Sequence, residues 1–314
     1  MWLLVIRRTG LFLASLLVAS IIVFIALALL PGDAAQTVLG VEATPEALER
    51  LRVRFGLDRP LIVQYVDWLA GVVRGDFGVS YVSRVPIAPL IGNRLLVTVP
   101  LVLLAMTLAL VGALPLGTFA AARHGRWEST AVSAAAQVGI AIPAFWAGIM
   151  LIALVSVRLG WLPAGGFTAW GRDAASAARS LLLPAVSIAL VQGAILTRYT
   201  RSAVVDVLRE DFIRTARAVG NTPGRALWRH GLRNAAIPVI TVLGLQLSYL
   251  LAGAVVIENV FFLPGLGRML VQAIGQRDLL LVQGTVVVLT AMVLLVNFAT
   301  DLAYYVLDPR LRPS

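Results

Sequence analysis

Apolar positions along this chain run in long unbroken stretches, with the polar positions gathered between them. A bilayer span takes about 20 apolar residues. Six stretches reach or approach that length: Leu11–Leu30, Val97–Ala122, Ala131–Val157, Leu181–Thr197, Ile237–Ile257 and Leu279–Leu302. The pattern predicts an all-α integral membrane protein with six transmembrane helices. Leu11–Leu30 could also be read as a cleaved signal peptide, with Asp33-Ala34-Ala35 offering small residues for cleavage. Its length exceeds the roughly 7–15 residues of a signal core and favours an uncleaved span. Pro115 and Pro143 fall inside spans, where a kink is tolerated if neighbours satisfy the freed carbonyls.

Three polar segments have a pattern of their own. In 31–96, Thr44 reads as an N-cap, Pro45 as the first helical residue, Glu46 as an acid suited to the helix dipole and Gly56 as a stop. A second helix is predicted from about Pro60 to Val73, stopping near Gly75. Tyr65 and Trp68 suit it to the membrane interface, and it fits equally well as a small cap packed on the span ends. The segment Arg198–Pro238 carries eight arginines and three acids. Val204, Leu208, Phe212, Ala216 and Val219 have helical spacing, and Gly220 ends that helix. Thr222 and Pro223 then open a second helix, expected over about Thr222–Leu232. In 258–278, Glu258 is followed by Pro264, Gly265 and Gly267, which predict irregular backbone. That segment is either a dip toward the outer mouth of a pore or an ordinary outer loop.

Composition narrows the class. The chain is 59% hydrophobic and 13% charged, with a formal net charge of +10. The basic excess does not indicate nucleic acid, because the arginines sit in short loops beside spans instead of one patch. With six spans, both termini lie on one side. That side holds fourteen arginines, the two short loops opposite hold five, and 31–96 holds seven balanced by seven acids. Short-loop arginines mark the cytoplasmic side. Both termini and Arg198–Pro238 are therefore expected inside, and 31–96 outside. The chain divides into 1–30 (N-terminus and first span), 31–96 (extracytoplasmic helical segment), 97–302 (five-span core carrying loop 198–238) and 303–314 (cytoplasmic tail).

Several chemistries are excluded. There is no cysteine, and all 26 basic residues are arginine. Disulfides, thiolate metal sites, a lysine Schiff base and a phosphate-binding loop, which needs its lysine, are all ruled out. His124 and His230 are too few for a histidine-built metal site. No nucleophile–base or metal constellation lies near a span end, so neither catalytic nor metal-binding residues are expected. Asp301 marks the frayed inner end of the last span, and the span interiors otherwise hold only neutral polar groups. These are Gln137, Gln192, Thr241, Gln246, Ser248 and Asn297, which read as helix–helix hydrogen bonds. Ion-coupled transporters commonly place ionisable groups at membrane depth. Energy for uphill transport would here come from outside the bilayer, which disfavours a secondary transporter.

Arg214-Thr215-Ala216-Arg217-Ala218-Val219-Gly220, followed by a second helix and Pro238, resembles the "EAA" loop of binding-protein-dependent ABC importer permeases. The glutamate of the usual triplet is replaced by Arg214, and the usual proline pair is reduced to Arg233 and Pro238. These departures are shared with the first-subunit permeases of dipeptide, oligopeptide and nickel importers. Phe212–Ala218 and Leu232-Arg233-Asn234-Ala235 resemble that branch. So do Leu30-Pro31-Gly32-Asp33, Phe55–Leu61 with Gln64-Tyr65, Gly75–Ser80, Glu258–Phe261 with Pro264–Arg268, and Leu307–Arg310.

The resemblance implies a type I ABC importer transmembrane fold in a bacterial cytoplasmic (inner) membrane. It implies a second homologous permease, two ATP-binding subunits or domains, an extracytoplasmic solute-binding protein and lipid as partners, with no nucleic acid. ATP and Mg would sit on the ATPases, and this chain would hold no cofactor. The substrate would be a di- or oligopeptide, or else nickel or another small solute. The loop's second helix would be the coupling helix that docks an ATPase, using Arg214, Thr215, Ala216, Arg217, Gly220, Asn221, Thr222, Pro223, Arg225, Trp228, Arg229 and His230. Glu258, Pro264, Gly265 and Gly267 would form the outer-mouth segment.

Overall fold

The computed structural model describes residues 2–29, 39 and 44–307. The Leu30-Pro31-Gly32-Asp33 block, the possible cleavage site Asp33-Ala34-Ala35, and Asp308 to Arg312 lie outside the described residues. The helices are α1 (Trp2–Ala28), α2 (Pro45–Phe55), α3 (Leu61–Val73), α4 (Ile87–Ala122), α5 (Trp127–Ala141), α6 (Ala144–Leu151), α7 (Ala174–Leu208), α8 (Asp211–Ala218), α9 (Pro223–Ala226), α10 (Leu232–Val260), α11 (Leu266–Gly275) and α12 (Leu279–Leu307). No strand occurs among the described residues. Five helices are long and apolar enough to cross a membrane, or six spans if the bent pair α5–α6 counts as one. The all-α, multi-span expectation holds.

The described residues form two compact units, 2–5 with 99–263 and 296–307, and those of 6–98 with 264–295. In the first, α7 packs against α10, α5 and α6. Small residues let these helices approach. A Cβ on Gly117 would lie 2.6 Å from the Thr200 Cβ, and one on Gly139 would lie 2.8 Å from the Ala194 Cβ. Close backbone approach of this kind is how helices associate where lipid removes the hydrophobic driving force. Ser248 Oγ donates to Asn297 Oδ1 at 3.0 Å, one of the expected helix–helix bonds.

In the second unit the two short helices form as the sequence predicts. Thr44 Oγ1 accepts the Ala47 N–H at 3.3 Å, and Gly56 takes the left-handed conformation (φ 69°) that ends α2. Helix α3 packs on α1: Ser20 Oγ lies 2.9 Å from the Tyr65 hydroxyl, and the Tyr65 ring meets Phe24 edge-on at 5.3 Å. Helix α11 is capped by Thr98, whose Oγ1 accepts the Leu266 N–H at 2.9 Å.

Three expectations are corrected and a fourth holds in part. The third span is not one kinked helix: α5 and α6 meet at 96°. Ile142 (ψ 124°) and Pro143 (ψ 136°) are both extended. Proline bars its predecessor from the helical region, and here the break spreads over both residues. The helix entering the 198–238 loop is also two helices. Helix α7 stops at Leu208, Glu210 is extended (φ −68°, ψ 146°), and α8 starts afresh. The loop's second helix does not end at Leu232, because α9 continues through a π-helical stretch, Leu227–Gly231, into α10. In segment 258–278 the irregular backbone is confined to 261–265 and 276–278, where Phe262 (φ 54°) and Arg277 (φ 55°) are left-handed, while Gly267 lies in the ordered helix α11 and Gly265 (φ −98°, ψ −178°) is ordinary extended backbone preceding it.

Candidate partner-docking site

The 198–238 loop is a folded unit and not a flexible excursion. Its inner faces share one apolar cluster with Ala121 of α4: Val204 and Val207 of α7, Ile213 of α8, then Ala226, Leu227, Ala235 and Val239. Ile213 is the anchor of α8, with 0% exposure. Buried residues recur every four positions at Leu227, Gly231, Ala235 and Val239. In a straight α-helix that spacing drifts by about 40° per step. The wider π stretch over Leu227–Gly231 takes up part of the drift and keeps the stripe on the core. Gly231 is part of the fit, because a Cβ there would stand 2.8 Å from Leu227 Cδ1.

The turn between the helices is a closed hydrogen-bonded stop. The Gly220 N–H donates to the Arg217 carbonyl at 3.0 Å, and the Asn221 N–H to the Ala216 carbonyl at 3.2 Å. This pair of bonds around a left-handed residue satisfies the last carbonyls of a helix. Asn221 Nδ2 adds a third bond to the Ala216 carbonyl at 3.0 Å. Gly220 has φ 93°, and a Cβ there would meet nothing within 4 Å. Glycine is therefore required for its backbone conformation, not for space. Beyond it, Thr222 caps α9: its carbonyl accepts from Ala226 N–H at 2.9 Å and its hydroxyl from Arg225 N–H at 3.4 Å.

The outer face is open. Trp228 is 74% exposed and Val219 79% exposed. Arg225, Arg229 and His230 also face outward. Arg214 pairs with Asp211 at 3.1 Å, and both side chains are well exposed. Among the described residues, Arg217, Arg225, Arg229 and Arg233 have no acidic partner. The neighbouring turn after α4 joins the same end of the unit. Arg201 reaches His124 Nδ1 and Ser129 Oγ, each at 3.3 Å, and Arg123 pairs with Glu128 at 2.6 Å. Beside this face, an apolar groove of about 810 Å³ runs between α4 and α10, with Phe119 and Trp228 among its lining residues.

The structure thus brings together Arg214, Thr215, Ala216, Arg217, Gly220, Asn221, Thr222, Arg225, Trp228, Arg229 and His230, with Pro223 at the first position of α9. The residues that hold them were missed in the sequence: Ile213, Ala226, Leu227, Gly231 and Ala121. The four-residue recurrence from Leu227 to Val239 was the available signal for two of these, Leu227 and Gly231. Pro264 and Gly265 precede α11, and Gly267 lies within it. Glu258 is fully buried in the last turn of α10. No His, Cys, Asp or Glu grouping fit for a metal occurs among the described residues.

Residues 113–313 match the family model described as binding-protein-dependent transport system inner membrane component, and residues 1–102 match that family's N-terminal model. The chain belongs to this family of permease subunits. It is 40% identical over 309 residues to a Brucella abortus (strain 2308) protein named as a peptide transport system permease, covering 98% of each chain. It is 38% identical over 308 residues to the Escherichia coli (strain K12) glutathione transport system permease protein GsiC, again covering 98% of each. An inward-facing structure of the MetNI methionine ABC transporter shares the fold, with TM-score 0.59 and 19% identity over 70% of this chain and 96% of that one. The fold is that of a type I ABC importer permease.

Proposed function

We propose that this chain forms half of the translocation pathway of an ATP-driven importer of di- or oligopeptides, and that α8 and α9 with the π stretch dock an ATPase. The observation that carries the docking reading is the rigid loop unit. Its inner face is locked by one apolar cluster, while its outer face presents Trp228 and arginines with no acidic partner. Arginine offers planar, bidentate contacts to carboxylates, so the fitting surface is an acidic groove on the ATPase. The peptide substrate rests on the relatives' names. No observation favours nickel.

The chain performs no bond-making chemistry. ATP and Mg act on the partner subunits, and an extracytoplasmic binding protein delivers the substrate. In this reading ATP-driven closure of the ATPases moves the docking helices, and α10 carries that displacement into the membrane because no break separates it from α9. Hydrolysis resets the pore inward. Both termini and the 198–238 loop lie in the cytoplasm, and the loop arginines also meet anionic headgroups there.

The test is co-purification of the tagged chain from its own membranes, followed by peptide uptake in proteoliposomes. Recovery of a second permease and an ATPase, with uptake that needs ATP, supports the reading. Recovery of the chain alone, with uptake that needs no ATP but collapses with an ionophore, overturns it.

A further inference from the structure

We propose that the break between α5 and α6 lines the aqueous translocation pathway, with Gln137, Ala141, Ile142 and Pro143 on its wetted wall. This rests on the importer reading above and adds where in this chain the solute passes.

The break lies at membrane depth. Near the start of the pair, Arg201 donates to Ser129 Oγ at 3.3 Å, and beyond its end Arg179 donates to the Trp161 carbonyl at 3.2 Å. The pair therefore runs alongside the whole charge-free stretch Ser180–Thr197 of α7. That stretch is about 27 Å long at about 1.5 Å per residue, close to the roughly 30 Å of a hydrocarbon core. Before the break, a Cβ on Gly139 would lie 2.8 Å from the Ala194 Cβ; after it, one on Gly148 would lie 3.3 Å from Ser187 Oγ. Ile142 and Pro143 fall between those two levels, in the middle of the stretch.

The backbone there is unmet. The N–H groups of Ile142, Ala144, Phe145 and Trp146 make no hydrogen bond to any described residue. Nor does the rest of the chain enclose the break, because Ala141, Pro143, Phe145 and Trp146 are all exposed. Hydrocarbon offers N–H and C=O groups nothing to bond. Non-helical backbone is therefore found at this depth only inside protein or against water.

A second observation favours water. Gln137 lies one turn before the break, is exposed, and makes no hydrogen bond to any described residue. Thr130, Ala134, Gln137 and Ala141 recur every three or four residues, which puts them on one face of α5, and all four are exposed. An unpaired amide is costly in hydrocarbon and costs nothing in water. Broken helices that open on a water-filled cavity are a general way for transporters to bring backbone groups to the solute.

The test uses the absence of native cysteine. Gln137→Cys and Ala141→Cys are each assembled with their partners in proteoliposomes and treated with a charged methanethiosulfonate, which reacts with the thiolate and so needs water at the thiol. Ile22→Cys, at an exposed apolar position of α1, is the comparison. Gln137→Cys and Ala141→Cys are expected to be modified while Ile22→Cys is not. Uptake of a labelled di- and tripeptide mixture by the modified importer is expected to be lost. If neither cysteine is modified in importers that still take up peptide with ATP, while both react once denatured, the break is dry and the proposal is overturned with the importer reading intact. A cross-link from Ala141→Cys to the second permease, which would make the break a subunit contact, overturns it too. So does modification that leaves uptake unchanged, which would place the water off the pathway. Uptake that needs no ATP would contradict the importer reading instead, and the pattern of modification would still test the wetted wall.

Discussion

Two charged regions of this chain are handled in opposite ways. In the clasp around Asp278, the carboxylate is buried and closed on itself. It accepts the Ser80 hydroxyl, the Tyr81 N–H at 3.2 Å, the Val82 N–H at 3.4 Å and the Leu281 N–H at 3.4 Å. In the 211–233 loop, four arginines stand without an acid among the described residues. A charge fully met inside the chain is architecture. Charges carried on an ordered backbone and left unmet within the chain are available to a partner, and docking there would pay less to order the backbone.

The largest expected effect is on the frame. Gly220→Pro removes the N–H that closes the turn and imposes φ near −65° where the backbone has φ 93°. Transport is expected to be abolished while membrane insertion, read by fractionation, is retained. Ala216→Asp, which puts a charge beside the apolar cluster, is expected to do the same. Normal uptake by either variant would contradict the docking account. Next comes the clasp. Asp278→Ala leaves the Ser80 hydroxyl and several N–H groups without an acceptor, and a loss of roughly 3 kcal/mol or more is expected in chemical denaturation. Third are the open arginines. Arg225→Ala combined with Arg229→Ala should leave stability within about 0.5 kcal/mol and weaken ATPase binding about tenfold or more in a direct binding assay. Equal losses of stability and binding would erase the distinction drawn between the two regions.

The smallest effect at ordinary pH is at Tyr81. Burial and the neighbouring Asp278 push its hydroxyl up to about 12. An unfolded chain titrates near pH 10, so the native state holds this proton more tightly. The stability it contributes is whole below about pH 10 and is lost as pH rises through about 12. Tyr81→Phe should flatten the alkaline limb of a stability–pH curve across that window and change little at pH 7.

Local turn chemistry was legible in the sequence. Thr44, Gly56, Gly220 and Thr222–Pro223 all act where their residue types place them, because caps depend on neighbours a few positions away. The apolar runs likewise gave the spans. The break at Ile142–Pro143 was not legible, since Pro100, Pro115, Pro184 and Pro238 remain inside helices. Whether a proline bends or breaks a helix depends on what packs around it. The stop at Arg209–Glu210 was hidden by helical spacing that continues across it. The Asp278 clasp joins residues about 200 positions apart in sequence, and Phe262 and Arg277 take left-handed turns (φ 54° and 55°) without a glycine to announce them.

The most direct test of the central claim is site-specific cross-linking. The chain has no cysteine, so Trp228→Cys gives a single reactive position on the docking face. In the assembled importer this cysteine is expected to cross-link to the ATPase, and a membrane-impermeant maleimide should reach it only after cells are permeabilised. Labelling from outside intact cells, or no cross-link to an ATPase that co-purifies, would contradict the account.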